Sequence, residues 1–394
     1  MSEKISIKEL LEGVEVEWKP LGEIGEFIRG SGLQKSDFTE TGIPAIHYGQ
    51  IYTYYGNFAD KTKTFVSPEL ASKLKKAKKN DLIIATTSEN IEDVCKSLVW
   101  LGDDEVCVSG ETYIFKHNQN AKYIAYYLQT PTFFDYKKLN RTGTKVIRVH
   151  GDKLAKFQIP IPPLHVQREI VRILDNFTEL TAELTAELTA ELSARKKQYS
   201  YYHDRLLTFE EGKVEWKSLR EVAIIGTGSR NTNEATASGK YPFFVRSQEP
   251  KLIDSYEFDE TAIITAGDGV GVGKVFHYIS GKYGLHQRAY RIVVNDSVIN
   301  SRFLFHYIRN NFLKYLETVS VHASVTSLRK PMFEKYPIPI PPLAEQERIV
   351  AILDKFDTLT HSISEGLPRE IELRQKQYEY YRDLLLNFPK GEPS

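Results

Sequence analysis

An internal repeat constrains the fold of this chain more than any other feature of its sequence. The segment 159–177 recurs as 338–356 with 13 of 19 positions identical, and 195–209 recurs as 374–388 with 10 of 15 identical. Both matches share one offset, so they belong to a single duplication. Self-similarity at a fixed offset indicates a repeated structural unit, and we therefore expect two copies with the same fold.

The repeat is circular. Val16–Lys19 recurs as Val214–Lys217, so a segment near the start of the chain matches one that follows the first copy's helix. The first copy also carries an insertion within residues 51–80. If the copies fold alike, the two ends of the chain should lie close together, and a pseudo-two-fold axis should relate the copies.

A long apolar stripe follows the proline-rich run of each copy. Spacings of three and four place the stripe on one helical face, and the prolines mark where each helix begins. A helix over residues 165–209 would be about 65 Å long, so its stripe needs a partner helix, which the second copy supplies in antiparallel orientation. Gly366 and Pro368 predict a kink or break in the second helix. Helix–helix or partner contacts are expected at Leu180, Leu184, Leu188, Leu192, Tyr199, Tyr202, Ile349, Leu353, Phe356, Tyr378 and Tyr381.

These patterns predict an α+β protein in which two α/β domains are separated by two long antiparallel coiled-coil helices. The expected boundaries follow the repeat. They are 1–18 for an N-terminal segment completing the repeat, 19–158 for the first domain, 159–212 for the first proline-rich run and helix, 213–337 for the second domain, and 338–394 for the second run and helix.

Composition favours a globular protein of the cytoplasm. Hydrophobic residues make up 41% and charged residues 26% of the chain, as is typical of soluble domains. No apolar run approaches the roughly 18 residues that a membrane span requires, and the N-terminus lacks an export signal. Cys95 and Cys107 favour free thiols in a reducing compartment, although their spacing leaves a disulfide open.

The charge is unevenly distributed although its sum is zero. Residues 19–150 contain 18 basic and 15 acidic side chains, and residues 217–335 contain 16 basic and 11 acidic ones. The remainder of the chain is acidic, with 18 against 26. Two mildly basic blocks permit nucleic-acid binding without establishing it.

Polar loops follow predicted strands at matching places in both copies. The strands are predicted at 43–46 and 81–85 in the first copy and at 241–245 and 262–265 in the second. The side chains of these loops have the donors and acceptors that base edges and phosphates require, but solvated turns have the same composition, so that alternative stays open. The candidate DNA-contact residues of the first copy are His47, Tyr48, Gln50, Tyr52, Thr86, Thr87, Ser88, Asn90, Arg141, Thr142, Thr144 and Lys145. Those of the second copy are Arg246, Ser247, Gln248, Lys251, Gly269, Lys274, His286, Gln287, His322 and Ser324.

A lysine run, with Lys73, Lys75, Lys76, Lys78 and Lys79, lies in the insertion of the first copy. We expect it on a short helix after Pro68. It is either a solvated face or a face that contacts phosphates.

Residues for catalysis or metal binding are not recognisable. The segment Gly267–Lys274 resembles a phosphate-binding loop, but Asp268 stands where a glycine is required and Val275 where a serine or threonine is required. Its glycines fit a tight turn or a close approach to a DNA backbone better. Two alternatives to a DNA-reading role remain. One is an adaptor that only joins proteins, and the other is a nuclease using Asp81 or Asp268 with Mg²⁺.

The proline-rich run Ile159–Leu164, the helix that follows it, the tetrapeptide array Thr181–Leu192 and the second copy together resemble the specificity subunit of type I restriction-modification enzymes. The Thr-Ala-Glu-Leu array is similar to that of the subclass called type IC. The resemblance implies two target recognition domains, each reading one half of a bipartite, asymmetric site on double-stranded DNA, with the helices setting the spacer between them.

The resemblance also implies partners. Two modification (methyltransferase) subunits would carry S-adenosylmethionine and methylate adenine, and restriction (motor-nuclease) subunits would use ATP and Mg²⁺. This chain itself would bind no cofactor or metal, would have no catalytic residue and would not enter a membrane.

Overall fold

The computed structural model describes residues 13–210, 212–319, 328–361 and 365–389. The chain forms two compact units. Unit 1 comprises Met1–Thr185 and Leu373–Ser394, and unit 2 comprises Ala186–Glu372. The division falls within two helices, at 185/186 and at 372/373. Each unit therefore contains one globular part and a portion of both helices.

Unit 1 is built on two sheets. The strand order is β2-β11-β7-β9-β4 in the first and β5-β3-β10-β6 in the second. Strand β7 is buried along its whole length between β11 and β9, both antiparallel to it. The strands are β1 (Glu17–Pro20), β2 (Gly25–Arg29), β3 (Ile43–Ile46), β4 (Phe58–Ala59), β5 (Thr64–Val66), β6 (Lys76–Ala77), β7 (Leu82–Ala85), β8 (Thr87–Ser88), β9 (Lys96–Trp100), β10 (Val106–Val108), β11 (Thr112–His117), β12 (Ile147–Arg148) and β13 (Gln158–Ile161).

Unit 2 has one large sheet with the order β15-β20-β18-β19-β16-β17. Its first four strands repeat the arrangement β2-β11-β7-β9 of unit 1, with β18 in the place of β7. The strands are β14 (Glu215–Ser218), β15 (Ala223–Thr227), β16 (Tyr241–Phe244), β17 (Lys251–Ile253), β18 (Phe258–Ala266), β19 (Phe276–Leu285), β20 (Ala289–Val294) and β21 (Pro337–Ile340).

The helices are short within the globular parts and long outside them. Those of unit 1 are α1 (Leu21–Ile24), α2 (Tyr48–Thr53), α3 (Pro68–Ala71), α4 (Ala121–Tyr127), α5 (Pro131–Asn140) and α6 (Gly151–Leu154). The helices α7 (Leu164–Leu206) and α12 (Leu367–Leu386) cross the division between the units, and unit 2 contains α8 (Leu219–Val222), α9 (Ser301–Val319), α10 (Lys330–Glu334) and α11 (Leu343–His361). Short 3-10 turns lie at Lys35–Asp37 and Thr232–Glu234.

A small two-stranded sheet joins the beginning of each globular part to the proline-rich run at its end. Strand β1 pairs antiparallel with β13, and β14 pairs antiparallel with β21. The proline-rich run of each copy therefore binds the repeated Val-Glu-Trp-Lys segment. In unit 1 the indole Nε1 of Trp18 also donates to the carbonyl oxygen of Pro389, at 3.2 Å. The two ends of the described chain thus lie together, as the circular repeat predicts.

Helix packing in unit 1 is antiparallel. Leu174 of α7 and Leu385 of α12 lie in the same hydrophobic core. Farther along both helices, the rings of Phe177 and Tyr381 stack with their centroids 5.3 Å apart, and Thr178 donates to the hydroxyl of Tyr378. Residue numbers rise away from the core on α7 and fall on α12, so the two helices run in opposite directions.

The same arrangement occurs in unit 2 with the other end of α7. Leu207, just beyond α7, shares a core with Ile349 and Leu353 of α11, and the ring of Tyr202 stacks on that of Phe356 at 5.7 Å. The predicted antiparallel helices are confirmed within each unit. The predicted interruption of the second helix is also present, since Glu365 and Gly366 are not helical and α12 begins at Leu367.

A buried glutamine joins each globular part to its helix. Gln167 accepts from the backbone N–H of Asn120 and donates to the carbonyl of Pro162. Gln346 of the second copy accepts from the N–H of Asn300 and donates to the carbonyl of Pro341. Both side chains are fully buried, so these bonds satisfy polar groups that water cannot reach.

Two local predictions were wrong. The polar segment after β3 is not a loop but the helix α2, which His47 caps by accepting from the N–H of Gly49. The lysine run is not helical, because α3 ends at Ala71 and Lys76 lies on β6, where Ala77 pairs with Val106. Sheet pairing of a buried alanine thus overrides the helical tendency of the lysines.

No helix in the described ranges is both long and apolar enough to span a bilayer. Cys95 and Cys107 are buried free thiols.

Candidate nucleic-acid interface

Three segments that the sequence singled out meet in unit 1 where β7 ends. The hydroxyl of Tyr52 lies 2.9 Å from the carbonyl oxygen of Ala85 and 2.8 Å from that of Thr87. Strand β12 pairs with β8, and Thr142 forms a β-bridge with Arg148. The chain segments around residues 52, 87 and 142 are therefore neighbours.

A charged cluster lies at this point. The hydroxyl of Thr87 donates to Glu111 at 2.5 Å, and Arg148 donates through Nε to Thr87 and through Nη2 to Glu111, both at 3.1 Å. Burial opposes ionisation of Glu111, but the bond from Thr87 and the charge of Arg148 outweigh it, so the pKa of Glu111 is lowered. The cluster is thus an ionised carboxylate held by a guanidinium group.

The predicted residues of unit 1 divide by exposure. Side chains buried in the domain are those of His47, Thr86 and Thr87. Half-buried ones are Tyr48, Gln50, Tyr52 and Ser88. Exposed ones are Asn90, Arg141, Thr142, Thr144 and Lys145. Burial, with a smaller effect from Lys35, lowers the pKa of His47. The exposed group supplies the side chains that a ligand could reach directly.

In unit 2 the corresponding strand, β18, ends at a carboxylate shared by two arginines. Asp268 accepts from Nη1 of Arg246 at 2.8 Å and from Nη1 of Arg288 at 3.1 Å. Burial opposes ionisation of Asp268, but the hydrogen bonds from the two guanidinium groups prevail and lower its pKa. His286, which is buried, accepts through Nδ1 from the backbone N–H of Arg288 and so fixes the chain at that residue.

Most predicted residues of unit 2 are accessible. The exposed ones are Arg246, Ser247, Gln248, Lys251, Gly269, Lys274 and Gln287. His286 is 5% exposed, and burial, with a smaller effect from Arg246, lowers its pKa. His322 and Ser324 lie outside the described residues.

The two clusters occupy equivalent positions in the two copies. The N–H of Thr86 donates to the carbonyl of Glu111, and the N–H of Gly267 donates to the carbonyl of Arg288. Thr87 thus corresponds to Asp268. Both units therefore carry a carboxylate–arginine cluster at the same strand end. The carboxylate differs, because it belongs to Glu111 before β11 in unit 1 and to Asp268 after β18 in unit 2.

Sequence reasoning missed Glu111, Arg148 and Arg288. Each lies beside a predicted residue or strand, but its partner comes from a distant part of the chain, for example Thr87 for Arg148. The sequence offered one indication of a functional position for two of them. Glu111 and Arg288 each directly precede a strand, at matching places in the two copies.

Metal binding finds no support in the described part of the chain, where no group of three or more His, Cys, Asp or Glu side chains could hold an ion. Asp268 is already bound by two guanidinium groups. Asp81 is 9% exposed and accepts from the backbone N–H of Lys78. Among the described residues, neither carboxylate has the further metal-binding side chains that the nuclease alternative requires.

Comparison with known proteins gives consistent results. The family model described as "Type I restriction modification DNA specificity domain" matches residues 13–194 and 211–373. The chain is 37% identical to the EcoR124I/EcoR124II type I restriction enzyme specificity subunit of Escherichia coli, over all of this chain and 99% of that protein. It is 30% identical to the EcoprrI specificity subunit of the same species, over 93% of each chain.

Solved structures show the same fold. A chain from a structure reported for complex assembly and conformational transition of the type I restriction-modification system matches with a TM-score of 0.63, at 18% identity, over 96% of this chain and 98% of that one. The HsdS subunit from Thermoanaerobacter tengcongensis matches with a TM-score of 0.53, at 17% identity, over 94% and 96%.

Proposed function

Because the chain belongs to the family of type I restriction-modification DNA specificity proteins, we propose that unit 1 and unit 2 each bind one half of a bipartite, asymmetric site on double-stranded DNA. The chain is a specificity subunit with no catalytic centre of its own. Family membership favours DNA specificity over the adaptor and nuclease alternatives.

One structural observation carries the proposal. The ends of β7 and β18 are equivalent in the fold but carry different polar clusters, Thr87–Glu111–Arg148 in one unit and Asp268–Arg246–Arg288 in the other. Base edges are read by side-chain donors and acceptors. Two domains that share a fold but differ in their polar side chains are suited to bind two different half-sites.

Salt dependence tests DNA binding by the complex of this chain with its modification subunits. We expect the logarithm of the affinity for a random-sequence duplex to fall linearly and steeply with the logarithm of salt concentration, because phosphate contacts release counterions. Lys145→Ala, in an exposed segment beside β12, should reduce the slope by about one. Lys213→Ala is the control, since Lys213 is exposed and forms an ion pair with nearby Glu210. A slope near zero for the unmodified complex would support the adaptor alternative.

Two equivalent exposed tyrosines support docking of two modification subunits. Tyr201 is 57% exposed in unit 2, and Tyr380, its repeat counterpart, is 64% exposed in unit 1. Their neighbours Tyr199 and Tyr378 are half-buried and buried. Docking is therefore proposed at Tyr201 and Tyr380. The predicted contact residues pack instead between the helices, and they are Tyr199, Tyr202, Tyr378 and Tyr381.

Stoichiometry tests this assignment. Native mass spectrometry of the unmodified chain should show two modification subunits bound. Tyr201→Ala or Tyr380→Ala should each reduce the number to one, because a tyrosine ring that becomes buried in an interface often contributes much of the binding energy. Tyr54→Ala is a matched control, since Tyr54 is also 57% exposed. Retention of two subunits by the double variant would reject these docking sites. S-adenosylmethionine is then held by the modification subunits, and ATP with Mg²⁺ by restriction subunits.

A further inference from the structure

The arrangement of Arg246, Asp268 and Arg288 has a consequence for which base pairs unit 2 reads. Both arginines are accessible, with side-chain exposures of 42% and 62%, whereas Asp268 is 23% exposed. The carboxylate therefore lies beneath two guanidinium groups that face solvent. Each arginine donates to Asp268 through Nη1 alone.

The edge of each guanidinium group that is not bonded to Asp268 is the part that can contact a base. Within the described residues, neither Nε nor Nη2 of Arg246 or Arg288 has a protein acceptor. Those two groups form one of the edges through which arginine can donate two parallel hydrogen bonds. In unit 1 the same edge is occupied, because Arg148 uses Nε for Thr87 and Nη2 for Glu111. The two units thus differ in which edge they present.

The surroundings hold the pair in place. The backbone N–H of Gly267 donates to the carbonyl of Arg288, and Nδ1 of His286 accepts from the N–H of Arg288. A side chain at Gly271 would place its Cβ 2.7 Å from the carbonyl oxygen of Arg246, so the glycine segment packs closely on the backbone that carries Arg246. These contacts fix the backbone at both arginines, and the bonds to Asp268 restrict their side-chain rotamers before binding, which lowers the entropy lost on binding.

We propose that Arg246 and Arg288 each recognise a guanine in the half-site read by unit 2, with Asp268 as the positioning residue that aims their free edges into the major groove. This inference rests on the proposed function of unit 2 and adds the base identity. The O6 and N7 atoms of guanine are two acceptors that match the Nε and Nη2 donors of one arginine. Asp268 also keeps the two positive groups close together by neutralising part of their repulsion.

The test uses the full complex of this chain with its modification subunits, and selection of bound duplexes from a random pool. The unmodified complex should select a bipartite site with at least two G·C pairs in one half. Arg246→Ala and Arg288→Ala should each abolish preference at one of those pairs, with discrimination falling about 5- to 140-fold, which corresponds to about 1–3 kcal/mol at 1.4 kcal/mol per tenfold. The other half-site and the spacer should stay unchanged.

Further variants separate the positioning role from a structural one. Asp268→Asn should weaken discrimination at both pairs while overall affinity for random DNA changes less. Arg246→Lys should not restore the preference, because an ammonium group cannot donate two bonds in one plane. Lys251→Ala is the control, since Lys251 is exposed on β17 and outside the Asp268 cluster. It should alter affinity evenly across sequences.

Two results would overturn the inference while leaving the proposed function intact. One is a bipartite site whose G·C preferences survive both arginine-to-alanine substitutions, and the other is loss of preference only at A·T pairs. Absence of any selected sequence by the unmodified complex would instead reject the proposed function itself.

Discussion

Gln167 and Gln346 illustrate how single side chains determine the direction in which a helix leaves its domain. Each amide is fully buried and bonds the backbone at the helix start to the loop before a domain helix. The repeated glutamine was visible in the sequence, but its role was not. Its partners Asn120 and Asn300 lie 47 and 46 residues away, and hydrophobic periodicity carries no information on such contacts.

Substitution of Gln346 tests this role. Gln346→Leu leaves the N–H of Asn300 and the carbonyl of Pro341 buried without partners, so we expect the free energy of unfolding to fall by about 1–3 kcal/mol. Gln375→Leu is the control, because Gln375 is exposed and donates to Glu379 of the same helix. It should change stability by less than about 0.5 kcal/mol. Urea titration measures both, and equal midpoints for the two variants would refute the structural role of Gln346.

The polar clusters show the limit of residue-level prediction. Arg246 was predicted because it follows a strand in a polar segment. Arg288 and Arg148 were not, since their importance comes from carboxylates at Asp268 and Glu111 that the fold brings to them. His47, Thr86 and Thr87 had suitable chemistry for base contacts but are buried, because a residue near a strand end can point inward as readily as outward.

At the scale of elements, strong periodicity gave reliable predictions and short polar stretches did not. The buried strands β3, β7 and β18 and the long helix α7 match their predicted places. Helix α2 was missed because its sequence contains Gly49 and aromatic side chains with low helix propensity. Its stability comes from its cap and from Ile51, which is buried in the domain.

The tetrapeptide array on α7 leads to a prediction about spacing. One Thr-Ala-Glu-Leu unit adds about 6 Å of helix, between one and two base-pair steps of roughly 3.4 Å. We expect deletion of 185–188 to shorten the preferred DNA spacer by about one base pair without altering either half-site, as read by selection from random duplexes.

A length-preserving variant is the control for that deletion. Glu183→Gln with Glu187→Gln changes exposed side chains of the same array and should leave the spacer as it is. If the deletion also leaves it unchanged, the array does not set the spacing.

At the scale of the whole chain, the repeat predicted most of the architecture. It predicted two similar domains, their helices and the proximity of the first and last segments. The contact between Trp18 and Pro389 confirms this proximity for the described part of the chain. The divergent polar surfaces could not be predicted in the same way, because a repeat reveals what two copies share. We propose that the features in which they differ, such as Glu111 against Arg288, determine what each domain binds.

We infer that one duplicated chain directs modification to two unlike half-sites at a fixed separation. Methylome sequencing of cells that express this chain with its modification subunits tests it most directly. We predict a single methylated motif with two different half-sites and a gap of constant length, and no such motif in cells that lack the chain. Methylation at one continuous or palindromic sequence, or the same motif without the chain, would contradict the account.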